Sequence, residues 1–549
     1  MVLINILFVT SKTKDFSYNS AVCRKGGCLK HLFLRITMGY AEITLKLPTD
    51  YSEKLLEKRI SEEIQCRNFS FHIIRRSLDA RNKRDIHFLT KIGVIADNLS
   101  GKEPVTTHLE IPDRRGTEKK VIITGCGPAG MFAALVLQKA GFSVTIVEKG
   151  ADVATRTEKI AGFERSGVFD ELGGYCSGEG GAGTFSDGKL TSRTKTISLE
   201  KDFIFETFIR FGAPKEIAFE TYPHVGSDNL KKIIPAIISE FTELGGKVLF
   251  ESEVTGIYKS GEKILAVGIT GKHSGKIDGD YFIFANGHSS FKLYKLLISQ
   301  GVLFTTKPFA IGFRVEHLQE ELNYSMWRRR SLPGVKAAEY HLTANCDPGS
   351  VFTFCMCPGG RIVQSAPDAL SSVVNGMSNY ARDGKFANSA VVTPFSLEEA
   401  AGKEISAGNA LDVLENMEHR FYNFRKSFDI PAMRISDIIH GKKTAELPES
   451  SFSFGLIPAD LREFFPKNVY ERLKTGLKIF SGKLGCFENG IAAGFESKTS
   501  APIKCLRNQD LTAAPFTNLY ICGEGSGYSG GIISSAADGI KTAMKIASL

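Results

Sequence analysis

Six consecutive residues have the types and the spacing of a nucleotide-binding turn: Gly125, Cys126, Gly127, Pro128, Ala129 and Gly130. The apolar run 121–124 predicts a buried strand and the glycine-free run 131–139 predicts a helix, so the glycines fall between them. The first glycine permits a tight turn, the second lets a pyrophosphate approach the backbone, and the third lets the helix pack on the strand. The helix would direct its unpaired N–H groups at the phosphates. We therefore expect a dinucleotide here.

A carboxylate follows the next predicted strand. The strand 143–147 ends at Glu148, which lies roughly twenty residues after Gly125, where an acid can accept hydrogen bonds from an adenosine ribose. This pattern serves NAD and FAD alike, so the turn alone does not choose between them.

The far end of the chain favours FAD. The segment Leu519–Glu524 reads as a strand followed by Gly523 and Glu524, and Gly530 and Gly531 precede a predicted helix that begins at Ile532. This segment looks like the returning element of two-domain flavoproteins of the glutathione-reductase type, in which the acid accepts bonds from the ribityl hydroxyls. The helix start would face the flavin N1 region. We expect non-covalently bound FAD, with NAD(P)H as a possible transient reductant.

Other segments are expected beside the cofactor. The loop 178–190 is rich in glycine and hydroxyl groups, and its predicted contacts are Gly180, Gly181, Gly183, Ser186, Asp187 and Lys189. Free backbone N–H groups at these glycines would meet an oxygen ligand. By resemblance to related flavoproteins, Val254 would present main chain to the adenine and Gly287 would lie near the pyrophosphate. The alternative for the loop is an ordinary surface turn.

No catalytic residue can be assigned from the sequence. Weak candidates for a general acid or base near flavin N5, or for another catalytic role, are His288, Arg314, His317 and Lys189. Arg314 and His317 share one predicted strand with Glu316. Histidine suits proton transfer near neutral pH. A structural role is the stronger alternative for either histidine.

Two cysteines, Cys355 and Cys357, are spaced to share one face of a strand. A dithiol relay to the flavin or half of a metal site is conceivable, but core packing is the preferred interpretation. We expect no metal, because no second Cys or His pair occurs at ligand spacing.

Composition narrows the class of protein. The chain has 549 residues and a net charge of +9, from 69 basic and 60 acidic residues. Residues 1–37 carry six basic residues and one acidic residue, and the remainder has no basic segment interleaved with aromatics, so nucleic-acid binding is not expected.

Eleven irregularly spaced cysteines indicate a reducing compartment, the cytoplasm by default. No run is long enough to span a bilayer, so no membrane association is expected. The basic extension is either an untranslated or disordered segment before Met38 or, less favoured, an organelle-targeting peptide.

The predicted organisation has six parts. After the extension 1–37 come a small α/β domain (38–98), a linker (99–118), the first part of an FAD-binding domain (119–304), an inserted substrate-type domain (305–500) and the C-terminal return of the FAD-binding domain (501–549). The predicted fold class is α/β, a two-domain FAD-binding flavoprotein of the glutathione-reductase type with a Rossmann-like βαβ unit.

Several motifs together resemble one family, the uncharacterised FAD-dependent dehydrogenases, which are NAD(FAD)-utilising dehydrogenase-like flavoproteins. The motifs are RRSLDAR (75–81), GPAGMFAAL (127–135), GEGGAGTFSDGKL (178–190), PHVGSDNL (223–230), KPFAIGFRVEH (307–317), FCMCPGG (354–360), NGMSNYARDG (375–384) and CGEGSGYSGGI (522–532). The resemblance covers residues 38–549 and implies the domain order given above.

The expected function is that of an FAD-dependent oxidoreductase, moving a hydride between flavin N5 and an unidentified small organic substrate. The alternative is a non-catalytic or RNA-associated flavoprotein in which FAD is structural. Neither the oligomeric state nor the substrate follows from the residues.

Overall fold

The computed structural model describes residues 38–192, 194 and 196–549, so the predicted basic extension lies outside the described residues. The chain forms two compact units. The first comprises the described residues up to Thr106 together with Ala218–Thr221, and the second comprises Thr107–Ile217 and Tyr222–Leu549. This division does not separate residues 305–500 from the FAD-binding segments, and the internal boundaries remain a prediction.

The first unit is a three-stranded antiparallel sheet with one helix. Its elements are β1 (Gly39–Leu47), α1 (Glu53–Ile64), β2 (Phe69–Asp79) and β3 (His87–Ala96), with β3 at the centre. The Ser52 side chain caps α1 by accepting a hydrogen bond from Leu55 N. Apolar residues four apart, Leu56, Ile60 and Ile64, form the buried stripe of the helix. The unit thus combines strands and a helix, which is the α/β content expected of residues 38–98.

The second unit contains the other strands and α-helices. In chain order these are β4 (Lys120–Thr124), α2 (Pro128–Ala140), β5 (Ser143–Val147), α3 (Val153–Ser166), α4 (Ser198–Arg210), α5 (Ser227–Glu243), β6 (Lys247–Leu249), β7 (Ser252–Ser260), β8 (Lys263–Gly271), β9 (Gly275–Asp278), β10 (Tyr281–Phe284), α6 (Phe291–Ser299), β11 (Phe304–Thr306), β12 (Phe309–Leu318), α7 (Gln319–Trp327), β13 (Thr343–Asn345), β14 (Ser350–Cys357), β15 (Arg361–Gln364), β16 (Val374–Met377), β17 (Phe386–Phe395), α8 (Leu397–Ala401), α9 (Ala407–Asn423), β18 (Ile430–Arg434), α10 (Ile435–His440), β19 (Leu456–Pro458), α11 (Lys467–Lys483), β20 (Ile491–Glu496), β21 (Ile503–Cys505), β22 (Leu519–Ile521) and α12 (Ile532–Ala547). Short 3₁₀ turns include Gly181–Phe185 and Glu524–Ser526.

A five-stranded parallel sheet brings the two ends of this unit together. Its order is β22-β10-β4-β5-β6, and the C-terminal strand β22 pairs in parallel with β10, which pairs in parallel with β4. The helices α2 and α12 pack closely, because a Cβ on Gly539 would lie 2.1 Å from the carbonyl oxygen of Ala129. The carboxyl ends of parallel strands share one edge, which is where ligands of such sheets bind.

Further sheets complete the unit. The largest has seven strands in the order β13-β14-β17-β12-β20-β18-β19 and is antiparallel except between β18 and β19. The strands β7, β8 and β9 form an antiparallel sheet, and β11-β21 and β15-β16 are two-stranded pairs. Within the part of the chain that the structure describes, no helix is long and apolar enough to cross a membrane.

Candidate functional site

The first glycine turn contains both packed and open positions. Gly125 has φ +100°, and a Cβ there would lie 2.6 Å from the carbonyl oxygen of Ala285. A Cβ on Gly130 would lie 2.0 Å from the carbonyl oxygen of Gly125, so these two glycines are required by the protein's own packing. Gly127 differs, because its Cβ would meet nothing closer than 3.9 Å. It precedes Pro128 at the start of α2 with no side-chain cap, which leaves the first N–H groups of the helix available.

Glu148 joins three loops by hydrogen bonds to backbone. Its carboxylate accepts from Cys126 N at 2.7 Å and from Gly150 N and Gly178 N at 2.8 Å each. The side chain is buried at 5% exposure. The second oxygen, Oε2, accepts only one of these bonds, so it retains a lone pair for another donor. The predicted contact with a ribose stays a prediction. Val254 lies buried in β7, which follows Glu148.

The loop 178–190 folds over the first glycine turn, but its glycine amides are not free as predicted. Gly180 N donates to Cys126 O at 2.9 Å and Gly181 N donates to Gly178 O at 2.8 Å. The expectation that these two N–H groups are free is therefore wrong, because Gly180 N is bonded to the first glycine turn and Gly181 N to the loop itself. Cofactor contact by other atoms of Gly180, Gly181 and Gly183 stays a prediction. Gly183 lies at the start of α12, since its Cβ would be 3.2 Å from Ile532.

A buried arginine that sequence reasoning missed organises this loop. Arg156 is fully buried in α3 and donates to the carbonyl oxygens of Gly174 at 2.9 Å, Tyr175 at 2.8 Å, Glu179 at 3.0 Å and Gly181 at 2.8 Å. Burial lowers its pKa to about 10, which still leaves it charged at neutral pH. Because an arginine on a helix is usually solvent-exposed, the sequence carries no signal for this role.

The end of the loop belongs to an ion-pair cluster. Ser186 Oγ donates to Gly183 O at 2.7 Å, and Asp187 is buried between Arg382 at 2.7 Å and Lys189 at 2.6 Å. Burial alone would raise the pKa of Asp187, but Lys189 and Arg382 hold it well below its usual range. Asp187 is thus bound within the protein, and cofactor contact by Ser186, Asp187 or Lys189 remains a prediction.

The returning segment is held by an ion pair between Asp538 and Arg507, which the sequence did not indicate. Asp538 of α12 accepts from Gly523 N at 2.8 Å and from two nitrogens of Arg507 at 2.9 and 2.8 Å. Two glycines after this turn, Gly525 and Gly527, are required by the protein's own packing. A Cβ at these positions would lie 1.7 Å from Tyr294 Oη and 2.5 Å from Ile503 O respectively.

Two other glycines of this segment do border open space. A Cβ on Gly530 or Gly531 would have no neighbour within 4 Å among the described residues. The helix α12 begins after Gly531 with no side-chain cap. Both α2 and α12 therefore start with a glycine, uncapped, and both adjoin Gly183 through Pro128 and Ile532.

Polar atoms without partners collect at the carboxyl edge of the parallel sheet. Within the described residues, Thr124 Oγ1, Asn286 Oδ1 and both ring nitrogens of His288 are buried and have no hydrogen-bond partner. His288 Nδ1 lies 3.2 Å from Glu524 Oε2, but not in hydrogen-bonding geometry. Gly287, between Asn286 and His288, has φ +65° and open space at its Cβ position. Buried polar groups are normally paired, so these atoms indicate a missing polar ligand.

The remaining catalytic candidates lie elsewhere. Arg314 is buried in β12 and pairs with Glu496 at 2.9 Å. Glu316 accepts from Ser451 N at 3.0 Å. His317 is buried against Tyr340, at 3.1 Å from its hydroxyl oxygen, and burial lowers the pKa of His317 to about 4. His317 therefore fits a structural role better than a catalytic one.

Cys355 and Cys357 do not lie on a regular strand, and the Cys357 thiol donates to the Cys355 carbonyl oxygen at 3.3 Å. A bulge in β14 interrupts the pairing with β17 between Phe354 and Cys357, and Cys355 has φ +43°. The nine cysteines that the structure describes are all free. A three-residue cluster at metal-ligand distances, Asp368, Glu415 and His419, was not indicated by the sequence. It has no further feature that points to an ion.

Family models match three parts of the chain. An FAD binding domain matches residues 118–301, and a domain described as FAD-dependent protein, C-terminal domain-like, matches residues 308–499. A domain of unknown function matches residues 40–95. The cofactor of the site is therefore FAD.

A full-length relative and several solved structures also match. An uncharacterised protein of Clostridium beijerinckii is 36% identical over 526 residues, which are 91% of this chain and 97% of that protein. A flavoprotein/dehydrogenase from Cytophaga hutchinsonii is 13% identical, with 79% of this chain and 78% of that chain covered, at a TM-score of 0.35. L-proline dehydrogenase from P. horikoshii is 13% identical, with 79% and 94% covered, at a TM-score of 0.34. Likeness at this level says nothing about the reaction.

Proposed function

This chain belongs to the same family as the clostridial relative and is an FAD-binding flavoprotein, and we propose that it is an oxidoreductase that transfers a hydride between flavin N5 and a small organic substrate. The observation that carries the proposal is the set of unpartnered buried polar atoms of Thr124, Asn286 and His288. A purely packed sheet edge would not retain them, because an unpaired buried polar group costs about 1–3 kcal/mol.

The cradle beside these atoms fits a dinucleotide. Two uncapped helix N-termini, at Gly127 and Gly531, supply N–H groups and positive dipole ends for phosphate and for a flavin that gains negative charge. Glu148 Oε2 and Glu524 are acceptors for hydroxyl groups. FAD supplies hydride transfer at N5 when it is bound. The protein's part is to bind it, orient it and keep water out.

His288 is the residue best placed to handle a proton. It is buried at 5% exposure beside Glu524, and both of its ring nitrogens are unsatisfied. The Glu524 carboxylate lies 3.2 Å from Nδ1 of His288, so it places a negative charge directly beside the ring. In the proposal, His288 holds or releases the proton that accompanies hydride transfer, and Arg314 and His317 take no part.

Finer features of the proposal concern the fold type, the cellular compartment and the electron donor. The strand order β22-β10-β4-β5-β6 supports the glutathione-reductase-type arrangement, in which the chain returns to its first domain. The free described cysteines support a reducing compartment such as the cytoplasm. NADH or NADPH would act as a transient reductant, and the organic substrate is to be found by screening.

The experiment is anaerobic reduction of the purified protein by NADH and NADPH, followed by reoxidation across a panel of small organic acceptors. Bleaching and acceptor-dependent recovery of flavin absorbance support the oxidoreductase. We expect His288→Gln to retain FAD and to lower the turnover with substrate by about 10²–10⁴-fold, the usual contribution of a general acid or base. The control is His273→Gln, at an exposed position. Flavin that no donor or substrate reduces would refute the proposal and favour structural FAD.

A further inference from the structure

Cys355 and Cys357 occupy a strained part of β14. The bulge places Cys355 in the left-handed region, at φ +43°, which non-glycine residues seldom adopt. Residues held in this region are concentrated at functional sites. At this bend the Cys357 thiol donates to the Cys355 carbonyl oxygen at 3.3 Å, so the Cys357 side chain lies against the backbone of Cys355. Core packing alone does not require a left-handed residue between two paired strands.

A buried arginine and a partly buried lysine lie beside the pair. Arg314 donates to Cys357 Sγ at 3.4 Å and to the Cys355 carbonyl oxygen at 2.6 Å. Lys189 donates to the carbonyl oxygen of Met356, the residue between the cysteines. The cations are balanced by Glu496, 2.9 Å from Arg314, and Asp187, 2.6 Å from Lys189. The environment thus stabilises a thiolate without placing a free charge in the interior.

The two sulfurs differ in access and in acidity. Cys355 is partly exposed, whereas Cys357 is fully buried. The proximity of Cys357 lowers the pKa of Cys355, and Arg314 and Lys189 lower it further against the effect of burial. The same contact raises the pKa of Cys357. The accessible cysteine is therefore the nucleophile and the buried one the resolving thiol.

We propose that Cys355 and Cys357 form a redox-active dithiol whose substrate class is small organic disulfides. The Cys355 thiolate attacks one sulfur of the disulfide RSSR, so that a Cys355–SR mixed disulfide forms while the RS–SR bond breaks and one RS⁻ leaves. Cys357 then gives up its proton and attacks Cys355 Sγ, which releases the second RS⁻ and closes the Cys355–Cys357 disulfide. The dithiol loses two electrons, the substrate gains them, and two RSH form after protonation. This activity goes beyond the flavin reaction and does not depend on it.

The test uses the full-length protein, as purified, in buffers with graded ratios of glutathione to glutathione disulfide. Free thiols are then blocked under denaturing conditions with N-ethylmaleimide, and the tryptic peptide 337–361 is weighed. It contains Cys346, Cys355 and Cys357. We expect the wild-type peptide to change from three adducts to one, with an internal disulfide. Three adducts at every ratio, or a disulfide that involves Cys346, would overturn the proposal.

Single variants identify the roles of the two sulfurs. Cys357→Ser is expected to accumulate glutathione at Cys355, at least about 10-fold faster than Cys355→Ser accumulates it at Cys357, because only Cys355 is both accessible and acidic. Cys346→Ser is the control and leaves the conversion of the pair unchanged. Equal rates for the two variants would contradict the assignment of the nucleophile. The wild-type titration decides the proposal if a variant does not fold.

Discussion

Replacing Arg156 by methionine tests how the glycine loop is held. Methionine keeps much of the length of the side chain but has no donors, so four backbone carbonyl oxygens at 2.8–3.0 Å lose their partner. We expect a lower free energy of unfolding and weaker FAD binding, because the loop that covers the first glycine turn would loosen.

The magnitude follows from two opposing contributions. Hydrogen bonds to a charged group contribute about 1.5–3 kcal/mol each, so four give at least about 6 kcal/mol. Burying the guanidinium opposes this: its pKa falls from 12.5 to about 10, which corresponds to about 3 kcal/mol at 1.36 kcal/mol per pKa unit. The expected net loss in the free energy of unfolding is about 3 kcal/mol. If the loosened loop must be reordered for binding, the Kd for FAD rises by up to about 100-fold.

The assay is urea unfolding followed by circular dichroism, with calorimetric titration of FAD into the flavin-stripped protein. Arg165→Met, on an exposed turn of the same helix, is the matched control and should change neither quantity appreciably. A loss below about 1 kcal/mol for Arg156→Met, with an unchanged Kd, would refute the reasoning, since it would mean that the four carbonyl groups are readily satisfied without the arginine.

Three further predictions concern the cradle and the cysteine pair. Gly127→Val should abolish FAD retention, because its side chain would fill the open space at the Cβ position, where the nearest protein atom is 3.9 Å away and the pyrophosphate is expected. The flavin content of the purified protein measures this, and Gly482→Val, at an exposed position, is the control. Gly530→Leu should lower flavin occupancy or the reduction potential without strain, because Gly530 has neither a positive φ nor a neighbour at its Cβ position, and unchanged affinity and potential would remove α12 from the flavin site. Alkylation of Cys355 by iodoacetamide should fall to half its maximal rate at a pH below the ordinary pKa of a free thiol, because neighbouring groups lower the pKa of Cys355. Cys357→Ala should move this midpoint upward, because Cys357 no longer favours the thiolate; an unmoved midpoint would show that Arg314 and Lys189 set the acidity instead.

Sequence reasoning succeeded where the signal was local. The strand-turn-helix around Gly125 and the strand-turn-helix after Leu519 each contain their own periodicity, turn residues and helix start, so both are formed as predicted. Because the carboxyl ends of parallel strands share one edge of a sheet, the two turns are then expected to lie side by side. The same logic fails for the loop 178–190, where glycine content suggested free amides. Whether an amide is free depends on which carbonyl lies opposite it. Gly180 N is bonded to Cys126 O, which lies more than fifty positions earlier in the chain, so the sequence of the loop does not indicate this bond.

The remaining site residues could not be predicted because their roles come from distant partners. Arg156 looks like an ordinary helix-surface residue until the loop 174–181 closes around it, and Asp538 looks like a solvated helix residue until Arg507 and Gly523 reach it. Glycines behave in the same way: Gly525 and Gly530 are alike in sequence, yet one is required by Tyr294 and the other borders open space. A cofactor site therefore combines two sets of residues. Those that face the ligand follow local motifs, because the ligand is constant. Those that hold the motifs in place vary with the packing of each chain, and they are where substitutions far from the flavin should weaken its binding.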